Sequence, residues 1–407
     1  MAEYASSCDK QNRSRGNQFS YRLSKFHLYF YGISKNRIVP RLGKNTLLSF
    51  WEHNGWCQGR DIVIIGAGFV GLSAALECRR RFPSASITIV ELSPLCGGGS
   101  TKNAGFTCFG SPSELLDDWR VLGPEKTVEL VAARYKGLKE LRKNFSDEEI
   151  GYEATGAIEM FTQGDEKLEA DVHEFVPVLN EALIGVFGGE PFSVGSEAPG
   201  VKGATSVITS PFEGILDTSK LYRSLLQRTL AAGVDIFNGC RIESIEADGD
   251  GYRLDFDYGY FEAKQVVIAA NAFASDLLPE LDVAPQPNRV LVTSEISHLE
   301  FRGSCHYDRG YVYLRRLGNR MLIGGGRQWG DGESDEVENK LIEFLKTHIA
   351  EDFEIEYNWI GHLGVGESRD PIVKTVKPGL HVGVRMGGMG VAIGSVIGRQ
   401  LGGLPQL

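Results

Sequence analysis

Four consecutive apolar residues, Ile62 to Ile65, precede a glycine-rich turn, and such a run reads as a short strand buried on both faces. An apolar-periodic stretch from Phe69 to Arg80 predicts a helix, and Ile87-Thr-Ile-Val-Glu91 predicts a second strand ending in an acid. Upstream, Leu47 to Glu52 reads as a short helix leading into the first strand. Residues 113–145 carry Leu115, Leu116, Trp119, Val131 and Leu138 at mixed helical spacing, and 165–184 also predict helix. Tyr152 to Phe161 reads as a strand. Asp217 is the expected N-cap of a helix from Ser219 to Ala232, with Leu221, Leu225, Leu226 and Leu230 on one face and Gly233 at its end. Short strands are predicted at 234–237, 241–246, 252–256 and 265–270. Segments 289–297, 310–315 and 320–325 suggest an antiparallel sheet, and 335–349 a helix built on Val337, Leu341, Phe344, Leu345 and Ile349. From Leu380 to Leu401 the chain repeats the strand, glycine turn and helix order of its start. Pairing the first and last strands would bring 62–65 and 381–384 together, with a second domain supplied by two insertions.

The first turn is Gly66-Ala-Gly68-Phe-Val-Gly71. Gly66 permits the tight turn, Gly68 lets a pyrophosphate approach the backbone, and Gly71 lets helix and strand pack closely. Phe69 and Val70 open a helix whose free N–H groups and positive dipole end face the phosphates. Glu91 stands where a carboxylate accepts hydrogen bonds from both hydroxyls of an adenosine ribose. The complete strand, turn, helix, strand and acid unit predicts a dinucleotide site.

Charge divides the chain. Residues 1–46 hold nine Lys/Arg against two Asp/Glu, so with a net charge of −10 overall the remainder carries −17. An acidic body argues against nucleic acid as a partner. The basic segment is expected to be a disordered extension, or alternatively an organelle transit peptide. Seven scattered cysteines form neither CxxC nor a zinc spacing, which points to reduced thiols in a cytoplasm-like compartment, and no metal site is expected. No run approaches about 18 apolar residues, so no membrane-spanning helix is expected.

Four landmarks together resemble the FAD-dependent oxidoreductases of the D-amino-acid oxidase, glycine oxidase and sarcosine oxidase family: the first turn with Glu91, the loop Gly98-Gly-Ser-Thr-Lys-Asn-Ala-Gly105, the order Asp217-Thr-Ser-Lys-Leu, Arg241-Ile-Glu-Ser-Ile and Val266-Val-Ile-Ala-Ala-Asn271, and the closing turn Gly387-Gly-Met-Gly390-Val-Ala. The resemblance implies α/β plus α+β architecture: a Rossmann-like FAD-binding domain, mostly parallel, from 47–110, 200–285 and 365–407, and a largely antiparallel substrate domain from 111–199 and 286–364. It implies FAD contacts at Gly66, Gly68, Phe69, Val70, Gly71, Glu91, Ser100, Thr101, Asn103, Ala104, Gly105, Phe106, Ile242, Ala270, Gly388, Met389, Gly390 and Val391. Of these, Ile242 would act through its backbone against adenine. The family's covalent flavin cysteine has no counterpart in Gly364-Val-Gly-Glu-Ser-Arg-Asp-Pro-Ile, so noncovalent FAD is expected.

The implied activity is oxidation of an amine or amino acid at its C–N bond, by hydride transfer to flavin N5. The alternative is a dehydrogenase of a 2-hydroxy acid or polyol phosphate that passes electrons to a quinone or another acceptor. The partner is then a small-molecule amine, amino acid or hydroxy acid, with O2 or another acceptor. The family's Gly-x-Arg-Pro carboxylate anchor is replaced here by Gly361-His-Leu-Gly, which leaves Arg315, Arg316, Arg327 and Arg369 as substitute cations or as surface and structural arginines. Arg385 is expected to stabilise the reduced flavin or bind a substrate carboxylate, unless it forms a surface ion pair. Tyr311 and Tyr313 share one strand face at period two, so they line the substrate pocket or are ordinary strand aromatics. Lys102, beside the flavin loop, is a candidate for assisting reaction with oxygen.

Overall fold

The buried strand Arg60–Ile65 lies inside an eight-stranded sheet whose order from one edge is Ile372–Lys377, Leu380–Val384, Gly259–Ile268, Arg60–Ile65, Ile87–Glu91 and Asp235–Asn238. Pairing is parallel from Leu380–Val384 to Asp235–Asn238, and Ile372–Lys377 adds antiparallel at the edge. The hairpin Ile242–Asp248 and Gly251–Phe256 joins antiparallel to the first half of Gly259–Ile268. The first and last strands of the nucleotide unit therefore share a sheet but do not touch. Gly259–Ile268 lies between them, because Val266 pairs with both Val63 and Leu380. This computed structural model describes residues 47–407, so both expectations for 1–46 lie outside the described residues.

The second eight-stranded sheet runs Ile355–Val365, Ala284–Thr293, Arg320–Gly325, Val312–Leu317, Ser304–Tyr307, Ala157–Thr162, Ala204–Ser210 and Ser193–Gly195. It is antiparallel except for the pair Ser304–Tyr307 with Ala157–Thr162. The α/β plus α+β architecture is thus present, with one mostly parallel and one largely antiparallel sheet. The stretch 200–210, expected beside the nucleotide sheet, instead pairs with Ala157–Thr162, and Leu48–Leu407 pack as one compact unit.

Several boundaries moved for local reasons. The stretch 113–145 is two helices, Pro112–Leu122 and Pro124–Asn144, broken at Gly123, whose φ of +85° lies outside the helical region. The strand expected from Tyr152 begins only at Ala157, since Glu153 makes a lone bridge to Ile215. Asp217 caps Thr218–Ala231 by accepting from the Ser219 and Lys220 amides at 2.8 and 3.0 Å. Leu221 and Leu225 are buried but Leu230 is 51% exposed. At about 100° per residue Leu230 lies on the side opposite Leu221, so those leucines do not share one face.

The closing helix Gly390–Gly402 packs on the first helix, Phe69–Arg81, through glycines four residues apart. A Cβ on Gly394 would lie 3.2 Å from Phe69 Cβ, on Gly398 2.5 Å from Val70 O and Ser73 Cβ, and on Gly402 2.5 Å from Ala74 O. On its other flank, a Cβ on Gly137 of Pro124–Asn144 would lie 2.0 Å from Ala392 O. At Gly398, Gly402 and Gly137 the close contact includes a backbone carbonyl, which has nowhere to go. Gly398→Val should therefore lower stability by at least about 1–3 kcal/mol. Gly185→Ala, where a Cβ meets nothing within 4 Å, should not destabilise. Thermal unfolding of both variants checks this, and an unchanged midpoint for Gly398→Val would refute the seam.

Candidate active site

The strand Arg60–Ile65 ends where Gly66 takes φ +107°, and a Cβ there would lie 2.7 Å from Ala269 O. A Cβ on Gly71 would lie 1.9 Å from Gly66 O, so the helix starts directly on the turn. The first-turn N–H groups of Val70 and Gly71 have no carbonyl partner within the helix. Phe69 N–H instead donates to Ser100 Oγ at 2.9 Å, and that same oxygen sits 2.9 Å from where a Gly68 Cβ would be. The residue that needs Gly68 in this structure is therefore Ser100. Glu91 is buried, with Oε2 accepting from Ala67 N–H at 2.9 Å and Oε1 from the Ser93 and Gly97 amides at 3.1 and 3.4 Å. Three of its roughly four acceptor positions are taken, so the ribose diol expected there would have about one left.

The loop after Gly97 folds on itself. Thr101 Oγ1 donates to Cys96 O, and Asn103 Nδ2 donates to the Gly99 and Ser100 carbonyls while its Oδ1 accepts from Gly105 N–H and Thr218 Oγ1. These side chains, expected to meet phosphate and ribityl oxygens, shape the loop. Arg315 completes it. Its buried Nη1 lies 3.0, 3.1 and 2.8 Å from the carbonyl oxygens of Ala104, Gly105 and Leu216, and burial brings its pKa down to about 10. Arg316 spends its guanidinium on the Gly318 and Leu299 carbonyls. Neither arginine is available to a substrate.

The loop, the closing turn and the second sheet meet around a cavity of about 340 Å³. Lys102, Asn103, Ala104, Gly105, Phe106, Tyr311, Tyr313, Arg327, Arg369, Arg385, Gly388, Met389 and Val391 all line it, whereas Gly66 to Gly71, Glu91, Ile242 and Ala270 are not in its wall. Ile242 begins the hairpin strand, and Ala270 follows the strand Gly259–Ile268. A Cβ on Gly98 or Gly388 would meet nothing within 4 Å, so open space adjoins the backbone of both loops. Glycine cradles, free helix amides and this adjoining recess suit a flavin dinucleotide.

Charge in the cavity is mostly compensated. Arg385, at φ +66°, gives Nε to Asp370 O and Nη1 to the Asp282 carbonyl and carboxylate. It is a tie between the closing turn and Asp282, so of the two expectations the ion pair holds rather than the free cation, with the guanidinium buried instead of on the surface. Arg369 pairs with fully buried Asp118, whose carboxyl is raised by burial and Glu114 against the pull of Arg369. Arg309 pairs with Asp117 at 3.1 Å. Lys102 and Arg327 line the cavity with no ion pair among the described residues, and the Arg327 guanidinium lies 4.3 Å over the Tyr311 ring.

The two tyrosines do face one recess. Tyr313 fits because Gly324 opposite it has no side chain: a Cβ there would lie 2.5 Å from its hydroxyl. Burial pushes the Tyr313 phenol up to about 12, so it keeps its proton at any working pH. Its oxygen accepts from Asn288 Nδ2 at 2.5 Å, and buried Asn288 Oδ1 has no partner among the described residues. Among the groups that the sequence left unmarked are Asn288 and His306 in the cavity wall and Glu213 behind His306. His306 Nε2 lies 3.1 Å from Glu213 Oε2, and both are buried. Histidine in Ser-Cys-His-Tyr and glutamate in Pro-Phe-Glu-Gly carry no spacing signal, since they stand 93 residues apart and meet only where the turn before Gly214–Ile215 reaches the strand Ser304–Tyr307.

A family model described as FAD dependent oxidoreductase (DAO) matches residues 61–404. A probable oxidoreductase, OrdL, of Rhizobium meliloti is 24% identical over 83% of this chain and 81% of its own length. Glycine oxidase of Geobacillus kaustophilus is 25% identical over 74% of this chain and 79% of its own. The crystal structure of glycine oxidase from that organism superposes with a TM-score of 0.65 at 21% identity, over 84% of this chain and 93% of that one, a likeness of fold. The family match runs through nearly all of the described residues, including both glycine turns and the cavity between them, and the chain belongs to the DAO family of FAD-dependent oxidoreductases.

Proposed function

We propose that this FAD-dependent oxidoreductase oxidises the C–N bond of an amine that also carries a carboxylate. The observation that supports this most is the pairing state of the cavity arginines. Arg309, Arg369 and Arg385 have acidic partners, and Arg327 has none among the described residues. Stacking on Tyr311 orients its guanidinium without neutralising it. An oriented, uncompensated guanidinium in a recess is a bidentate carboxylate receptor. Beside it, the Tyr313 O–H is free to donate, and Asn288 Oδ1 is a buried acceptor in need of an N–H. The relative named glycine oxidase acts on a substrate with these two groups.

In this reading the nucleotide part comprises 47–110, 211–285 and 365–407, and the substrate part 111–210 and 286–364. Gly66, Gly68, Phe69, Val70 and Gly71 hold the pyrophosphate, and Glu91 the ribose. The Ile242 backbone meets adenine, and Ala270 lies beside the first turn. Ser100, Thr101, Asn103, Ala104, Gly105 and Phe106 form the loop under the flavin, and Gly388, Met389, Gly390 and Val391 direct helix amides to its ring. Bound FAD supplies the two-electron acceptor, and the chain's residues orient the substrate carbon against it. Lys102, without an ion pair among the described residues, adds a cation to the same cavity. Six described cysteines are unpaired, which supports a reducing, cytoplasm-like compartment. Among the described residues no helix is long and apolar enough to cross a membrane.

Four outcomes check this reading. Acid precipitation of the holoenzyme should leave all flavin in the supernatant, and flavin retained in the pellet would show a covalent link. Arg315→Met should cost at least about 2 kcal/mol by orphaning three carbonyls, and purify with less FAD per chain by its visible absorbance. Arg327→Met should lower kcat/KM for an amino acid roughly 30- to 1,000-fold, equivalent to about 2–4 kcal/mol, and leave the matching decarboxylated amine unchanged. Anaerobic addition of amino acids should bleach the flavin absorbance. Bleaching by 2-hydroxy acids or polyol phosphates alone would instead establish the alternative.

A further inference from the structure

The buried pair His306 and Glu213 stands apart from every contact assigned above. His306 lines the cavity, on the strand Ser304–Tyr307, with Tyr313 directly opposite on one neighbouring strand and Glu159 on the other. Phe106 packs edge-on against both His306 and Tyr313, at 5.4 and 5.5 Å between ring centres. Glu213 is only 2% exposed, and its Oε1 accepts from Phe109 N–H at 3.2 Å. Its Oε2 faces His306 Nε2 at 3.1 Å. Where the Glu213 carboxylate accepts this bond, Nε2 carries the hydrogen and the neutral ring keeps its lone pair on Nδ1. Among the described residues the ring's hydrogen bond is the one from Nε2, and the ring lies in the cavity wall.

We infer that His306 is a catalytic base, positioned by Glu213, that takes a proton from the substrate's ammonium group. This rests on the amine reading proposed above. A C–N bond is oxidised from the neutral amine, because a protonated nitrogen has no lone pair to support departure of the α-hydride. In the step, one substrate N–H bond breaks and an Nδ1–H bond forms, leaving the electron pair on the substrate nitrogen. The imidazolium charge is met by Glu213, and the proton passes to solvent after turnover. No redox change occurs on the histidine.

The surroundings set the basicity. Burial alone would lower the His306 pKa, but the Glu213 hydrogen bond and charge, together with Glu159 and Glu114, raise it above its ordinary value. Glu159 is itself held toward its neutral form by burial, against hydrogen bonds from Ser113 and Ser111. Arg134, 3.7 Å from Glu114, opposes that acid's influence, and Tyr313 stays neutral.

The test is the pH dependence of kcat/KM on FAD-loaded enzyme. For wild type with an amine bleached in the panel above, kcat/KM should fall as pH drops and Nδ1 becomes occupied. His306→Gln should lose about 10²- to 10⁴-fold near neutral pH and lose that acid limb. Glu213→Gln, without the carboxylate, should move the limb to lower pH. With an amine whose ammonium pKa lies well below the assay range, no proton need be taken: the wild-type limb should vanish, and His306→Gln should match wild type. A merely structural histidine would impair both substrates alike. If a variant does not retain FAD, the comparison of the two amines on wild type decides, and a limb that persists with the weakly basic amine overturns the inference. An unmoved limb in loaded Glu213→Gln, or undiminished kcat/KM in loaded His306→Gln, also overturns it while leaving amine oxidation standing. If no amine is oxidised, the functional reading fails and this inference with it.

Discussion

Everything at the cofactor end depends on how closely two helices approach. Gly394, Gly398 and Gly402 meet Phe69, Ser73 and Ala74 in rising order along both helices, so the helices are parallel. Because Gly394, not Gly390, sits beside Phe69, the closing helix begins one turn, about 6 Å, ahead of the first. Two positive helix ends are thus fixed side by side in a stagger. One stands over the first glycine turn, and the other reaches the cavity. A Cβ at Gly398 or Gly402 would push the axes apart and lose both the stagger and the shared surface.

The cavity beyond that stagger is defined by which charges are already spent. Arg385 bears a backbone conformation unusual for a side chain of its size, and its amide and that of Met386 both donate to Asn271 Oδ1. The guanidinium then closes on Asp282. The closing turn is thereby tied to the end of the strand Gly259–Ile268, and the cation is consumed. Arg315 is consumed in the same way on the loop opposite. What remains chemically open is the neighbouring pair His306 and Tyr313, in strand register on the second sheet, with Arg327 and Asn288 beside them, while Glu159 on the other side of His306 is already held by Ser111 and Ser113.

The nucleotide unit was legible because its signals are local: an apolar run, glycines at fixed offsets and a helix period within thirty residues. The second sheet was only half legible. Arg320–Gly325 matched its expected bounds, but Ile355–Val365 went unseen, as its mostly half-exposed positions give no alternation to detect. Pro285 and Pro287 hid the first half of Ala284–Thr293 in the same way. Site roles failed where a partner is remote. Arg385 could be read as a free cation or as an ion pair until Asp282, 103 residues away, is seen beside it. His306 and Glu213, 93 residues apart, have no meaning singly. Leu230 was a different error, a face misjudged by half a turn of helix.

The glycine seam also orders events in time. Its members are brought together from opposite ends of the chain, as Cys78 Sγ and Gly402 O meet across 324 residues. During synthesis the first helix and the strand before it emerge long before the helix that will cover them. Until then their apolar flank stays open to other chains, and closure must wait for a long loop to shut. The shared surface of the two helices is therefore a late, long-range contact, closed only after the whole intervening chain has been made.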